Sequence, residues 1–173
     1  MKKLFRGIMK EYHDVITEWD EPNVRIFDGK KIIGRPTRGF GESNFYYAGK
    51  YMQPEPWNSN PFIKEIKEKS ERIVSKEIEK EVEFTFCLCG YYSTKGEGIP
   101  HHSDTVPKNS DLVFSISLGA PRIMEWRTYL TAIKEGSDTS RLCVWNRLPY
   151  KEELYVLEHG DALLFDGMSQ LFS

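Results

Sequence analysis

Cysteine is scarce in this 173-residue chain, with three in all, and histidine nearly so, with four. Cys87 and Cys89 alternate along one apolar run and Cys143 stands apart. That odd count argues against a disulfide framework and for a reducing compartment. The spacing Cys87-Leu88-Cys89 is not that of a zinc finger, and both residues read as small apolar strand positions. Long hydrophobic runs are missing too: none approaches the roughly 18 residues of a membrane span. The N-terminus is charged again at Lys2, Lys3 and Arg6, too soon for a secretory signal, so an intracellular protein, cytoplasmic or nuclear, is expected. Formal net charge is −2. This excludes a global basic field, and any nucleic-acid binding must rest on a local patch.

What is present is an ordinary globular composition, 39% hydrophobic and 29% charged, with a generous 13% of aromatics. The length suits one domain with a sizeable core. Leu4, Phe5, Ile8, Tyr12, Val15, Ile16 and Trp19 recur at three- and four-residue steps, which predicts an amphipathic helix over about 3–19 with His13 on or beside its polar side. Short strands and turns follow over 24–53, broken by Asp28-Gly29 and Gly34-Arg35-Pro36. Here lies the chain's local basic-aromatic patch: Lys30, Lys31, Arg35 and Arg38, then Phe45, Tyr46 and Tyr47 among glycines. Cations interleaved with aromatics suit phosphate contact plus base stacking; an edge hairpin packing its aromatics on the core fits the same residues equally well. Asn60 and Pro61 start a second helix, capped by the one and opened by the other. Its buried stripe is Phe62, Ile63, Ile66, Ile73 and Val74, and it ends near Glu79.

From Glu83 the pattern alternates, with Phe84, Phe86 and Leu88 opposite Thr85, Cys87 and Cys89, which predicts a strand to Tyr92. Further strands are expected at 112–119, 122–126, 142–148, 154–157 and 162–165, with a turn at Glu158-His159-Gly160-Asp161. Short strands at this spacing behind two helices suggest a β sandwich or barrel with helical buttresses. Between the first two of these strands stands His102-Ser103-Asp104. An imidazole and a carboxylate two residues apart can grip one metal ion from the same side. They are two thirds of the two-histidine, one-carboxylate triad that leaves iron open to cosubstrate and oxygen. His101 faces away from His102 in an extended segment, and His159 reads as a surface turn residue.

Four ordered blocks then resemble the AlkB family of iron(II)/2-oxoglutarate dioxygenases, from about Arg35 onward. They are Pro36 to Gly49 followed by Pro56-Trp57; Gly90-Tyr91-Tyr92; His102-Ser103-Asp104 followed by Ser115 to Gly119; and Leu157 to Phe165 followed by Gly167 to Phe172. The resemblance implies a mainly β chain with N-terminal helices (α+β), its core a double-stranded β-helix, or jelly roll, over about 83–173 behind a nucleotide-recognition lid over about 24–53. The whole forms a single domain over 1–173. It implies Fe(II) held by His102 and Asp104, 2-oxoglutarate hydrogen-bonded by Tyr92, and O2 as oxidant. Tyr47, with Phe45 beside it, falls where the family stacks a flipped base, and Arg35 is expected to contact substrate. The implied reaction is demethylation of an alkylated base in DNA or RNA, single strands preferred, by a monomer that meets no membrane. The alternatives are a catalytically inactive nucleic-acid-binding module and a dioxygenase acting on protein.

Three departures from the family pattern stand out. Gly90 replaces an asparagine that donates to the cosubstrate. Thr105 and Val106 replace acidic residues after the His-x-Asp. The distal histidine and the arginines that pair with 2-oxoglutarate would follow the segment ending at Phe172, beyond Ser173. The core is therefore expected to be incomplete at its C-terminus and the 173-residue chain inactive as it stands.

Overall fold

A computed structural model describes residues 1–22, 24–27, 29–42, 44–47, 50–94, 97–99, 112–129 and 149–166. It contains one α-helix and is otherwise mainly strand among these residues. The chain divides into two compact units, one formed by 1–13 with 100–173 and the other by 14–99.

The first unit is built around its last strand. Ala162, Leu163 and Leu164 are fully buried and Phe165 nearly so, a run apolar on both faces, as a central strand requires. In chain order the strands are β1 (Lys2–Phe5), β2 (Val24–Phe27), β3 (Lys30–Ile33), β4 (Thr37–Gly41), β5 (Phe45–Tyr47), β6 (Lys50–Met52), β7 (Phe86–Gly90), β8 (Leu112–Ile116), β9 (Arg122–Tyr129), β10 (Tyr150–Leu157) and β11 (Ala162–Asp166). In this unit β11 lies between β1 and β8, antiparallel to both. β9 and β10 form a second antiparallel pair, with Trp126 registered against Glu153. Trp126, Leu163 and Phe165 form the core cluster, with Leu4, Val113, Met124 and Tyr155 packed on it. The Trp126 and Phe165 rings meet edge to face at 5.1 Å, a favoured aromatic geometry.

The expected helix over 3–19 is not formed. Residues 2–5 are strand, residues 7–11 are bends and turns, and no described residue before 57 is helical. The open edge of a fully buried strand must be paired, and Lys2–Phe5 pairs it, in register with Phe165 to Ala162. Gly7 at φ +61° and Asp14 at φ +45° then take left-handed conformations that no α-helix allows. Met9, outside the expected apolar stripe, is fully buried.

The turn from β10 into β11 is closely fitted to this N-terminal segment. Gly160, at φ +84°, donates to Ser117 O and accepts from Met9 N. A β-carbon there would stand 2.5 Å from Lys10 N and 2.8 Å from Lys10 Cα. Backbone cannot step aside as a side chain can. Gly160→Ala is therefore expected to cost about 2–4 kcal/mol, from a strained φ and the clash together, read as a lowered urea midpoint at unchanged slope.

The second unit holds the α-helix, α1 (Pro61–Ile78). It begins as the sequence indicates, with Asn60 Oδ1 accepting from Phe62 N and Ile63 N and Pro61 in the first turn. It ends at Glu79, in a left-handed conformation. Ile63, Ile66, Ser70 and Val74 are buried, and Ser70 Oγ donates back to Ile66 O. Phe62 is instead 54% exposed. It flanks the stripe that Ile63, Ile66 and Val74 define, so the helix turns it outward. Glu71 carries the helix to the next segment by accepting from Lys67 Nζ and from Phe84 N. β4 pairs with β7, while β2 with β3 and β5 with β6 form separate antiparallel hairpins. The strand expected over 142–148 lies outside the described residues.

Candidate active site

Gly90 closes β7, opposite Thr37 at the start of β4. Tyr91 N donates to Pro36 O at 2.9 Å, so the pairing runs one step beyond the ladder. This sets Arg35 across from Tyr92, and the Arg35 guanidinium carbon lies 5.2 Å from the Tyr92 ring centroid. Both residues are half-buried. The arginine also covers Gly90: a β-carbon at Gly90 would stand 2.3 Å from Arg35 Nε and 3.1 Å from Arg35 Cδ. Of the residues singled out from the sequence, Tyr92 and Arg35 are thus brought together. Their junction went unnoticed in the sequence because its signal, a glycine ending an otherwise apolar strand, looks like a simple loss of side chain.

The neighbouring arginine has a different role. Arg38 Nη1 donates to Asp20 Oδ1 at 3.1 Å, and Arg38 Nη2 bonds Glu55 Oε1. Both carboxylates lie beside β4, where Asp20 bridges Thr37 and Glu55 bridges Phe40. Arg38 thus serves the fold, and the basic patch read from the sequence loses one of its four cations. Lys31 is exposed. Phe45 and Tyr47 lie in β5, paired with Met52 and Lys50 of β6. Tyr51, registered with Tyr46, is 70% exposed.

On the far face of β7, Cys87 and Cys89 are free thiols with sulfurs 3.7 Å apart. Their hydrogen bond draws the Cys87 thiol down against the upward pull of burial, and the same bond with burial pushes Cys89 up. Tyr91, next on that face, packs on Trp19 with centroids 5.3 Å apart. A cleft of about 530 Å3 between Gly41-Glu42, Pro56 to Asn58, and Lys64 to Glu68 holds none of the residues singled out as functional.

His102 and Asp104 lie outside the described residues. His159 is the remaining histidine after them in the chain, and its ring is occupied. Nδ1 accepts from Gly119 N at 3.0 Å, which leaves the proton on Nε2 to donate to Lys10 O at 2.8 Å. The ring also stacks on His13, 4.3 Å between centroids. Both nitrogens are committed to backbone, so this imidazole pins a turn and leaves nothing for a metal. Among the described residues no three His, Cys, Asp or Glu cluster as a metal site.

A family model described as the 2OG-Fe(II) oxygenase superfamily matches residues 34–172. This chain belongs to that superfamily. No curated protein matches it. The superfamily is one of dioxygenases that use Fe(II), 2-oxoglutarate and O2 for oxidative hydroxylation. Among the described residues, Arg35 and Tyr92 fit the cosubstrate. One imidazole and one carboxylate, as in His102-x-Asp104, are donors suited to non-haem iron. The Arg35–Tyr92 pair over Gly90 offers a guanidinium and a phenol, both donors to a carboxylate. When bound, iron and cosubstrate supply the oxidising chemistry, and the chain supplies binding, orientation and electrostatics. No helix among the described residues is long and apolar enough to cross a membrane.

Proposed function

We propose that this oxygenase is an oxidative demethylase of alkylated nucleobases in DNA or RNA, with a jelly-roll core. His102 and Asp104 would be metal ligands and Tyr92 a donor to 2-oxoglutarate. Hydroxylation of an N-methyl group would release the carbon as formaldehyde, with succinate and carbon dioxide as co-products. The observation that carries the reading is the β5–β6 hairpin. It concentrates Phe45, Tyr46, Tyr47 and Tyr51 in two three-residue strands, and Tyr51 is 70% exposed. A largely exposed aromatic on a hairpin suits a surface that stacks bases. Single strands are the favoured substrate, since a net charge of −2 gives little grip on a duplex.

The test is formaldehyde release dependent on Fe(II) and 2-oxoglutarate from a panel of methylated single-stranded oligonucleotides, with methylated peptides in parallel. Formaldehyde from at least one oligonucleotide is the result this reading expects, and it would also overturn the inactivity anticipated from the sequence of this chain. The neutralisation of Arg38 by Asp20 and Glu55 favours one second reading, a dioxygenase acting on a protein side chain. Turnover of peptides alone would establish that reading. Salt-dependent oligonucleotide binding with no turnover of either panel would point to an inactive binding module.

A further inference from the structure

We propose that Arg35, seated in the hollow over Gly90 and against Tyr92, is a carboxylate-binding residue for 2-oxoglutarate. The inference rests on the cosubstrate of the superfamily and not on the nucleobase reading. It begins with Gly90, whose missing side chain leaves a space that the Arg35 stem fills, with Nε and Cζ 2.3 and 3.2 Å from where a β-carbon would be. Pairing fixes the backbone: Tyr91 N donates to Pro36 O, which keeps residue 35 opposite residue 92. The guanidinium then rests over the Tyr92 ring at 5.2 Å. A guanidinium is planar, and its N–H bonds form an in-plane fork whose geometry matches a carboxylate. The phenol of Tyr92 adds an O–H donor alongside.

A dicarboxylate needs a positive partner, and a strand-end glycine offers none by itself. An arginine reaching across from the segment before β4 places a charge-assisted donor at the position where an ordinary side chain would stand. Arg38, three residues on, is neutralised by Asp20 and Glu55. On this reading Arg35 meets the cosubstrate and not a phosphate of the substrate.

The test is calorimetric titration of 2-oxoglutarate into the full chain loaded with Fe(II) under anaerobic conditions, a measure of binding without turnover. Arg35→Ala is expected to weaken 2-oxoglutarate roughly 10- to 100-fold, the range for losing hydrogen bonds to a charged group. Arg35→Lys, which keeps charge but loses the fork, is expected to weaken it less. Gly90→Ala offers a route that leaves Arg35 in the sequence. The three atoms nearest its methyl all belong to the flexible Arg35 side chain, so the fold is expected to survive while the guanidinium is displaced and affinity falls in the same direction. Affinity for a single-stranded oligonucleotide should stay within about threefold throughout, since a base-stacking surface loses no contact. The proposal is overturned if Arg35→Ala leaves 2-oxoglutarate affinity within about twofold, whether or not oligonucleotide affinity falls. It is equally overturned if the parent chain takes up no 2-oxoglutarate. Should Arg35→Ala lose its circular dichroism spectrum, Gly90→Ala decides: retained affinity overturns the proposal and lost affinity with retained fold supports it.

Discussion

Replacing Asp161 by alanine is expected to destabilise the unit formed by 1–13 and 100–173 by about 3–5 kcal/mol, the combined loss of several bonds to a buried carboxylate. Asp161 is 2% exposed. Its Oδ1 accepts from Gly7 N at 2.8 Å, and its Oδ2 accepts from Glu158 N at 2.9 Å and from Arg6 Nη1 at 2.5 Å. One carboxylate thus ties the N-terminal segment to the turn before β11. Without it the Gly7 and Glu158 N–H groups lose their acceptor in a buried site. Arg6, 57% exposed, can return to water, so the cost comes mainly from the backbone donors. Burial pushes this carboxyl up, but the Glu158 and Gly7 N–H groups and the Arg6 guanidinium outweigh it, and the result lies below the usual aspartate value. A carboxyl depressed in the folded state adds stability that is fully present above the unfolded value, about 3.9, and lost as pH falls through the folded one. The difference in urea midpoint between the parent chain and Asp161→Ala should hold steady from about pH 5 to 8 and shrink below about pH 4. A difference independent of pH down to pH 2 would show that the carboxylate contributes nothing through its charge.

The second large effect concerns the proposed metal ligands. His102→Ala and Asp104→Ala are each expected to weaken Fe(II) binding at least about 100-fold, since loss of a supporting outer-shell partner alone costs about 10- to 100-fold. His101→Ala, at the adjacent histidine, which the sequence reading leaves out of the ligand set, is expected to stay within about threefold. Anaerobic Fe(II) titration, or Mn(II) as a probe, separates the two. Equal losses at His101 and His102 would undo the assignment of His102, and unchanged affinity in Asp104→Ala would remove the carboxylate from the site.

Some of this molecule was legible residue by residue. α1 could be read because its signals are local: Asn60 and Pro61 at its start, and a stripe of Ile63, Ile66 and Val74 at helical spacing. The turn at 158–161 and the buried strand after it were legible for the same reason. The alternation of Phe86, Cys87, Leu88 and Cys89 was enough to mark β7 and to set both thiols on one face. The motif His102-x-Asp104 and the blocks around it pointed to iron and 2-oxoglutarate chemistry, and the match over residues 34–172 agrees at the level of the superfamily.

Other features were settled only by contacts between distant residues. The apolar spacing over 3–19 is compatible with a helix. The exposed edge of β11, some 160 residues away, draws Lys2–Phe5 into a strand, and pairing energy from a buried neighbour exceeds a few tenths of a kcal/mol per residue of helix propensity. In the sequence Arg35 and Arg38 are two like cations three residues apart. In the fold one is neutralised by Asp20 and Glu55, and the other lies over Gly90 against Tyr92. His159 could be placed in a turn from its neighbours, but which atoms its ring would meet depended on Lys10 and Gly119. Local patterns determine backbone type because they act through the nearest few residues. The partner of a charge or an imidazole is decided by which distant segment the fold brings within about 3 Å, and that information is not carried by spacing along the chain.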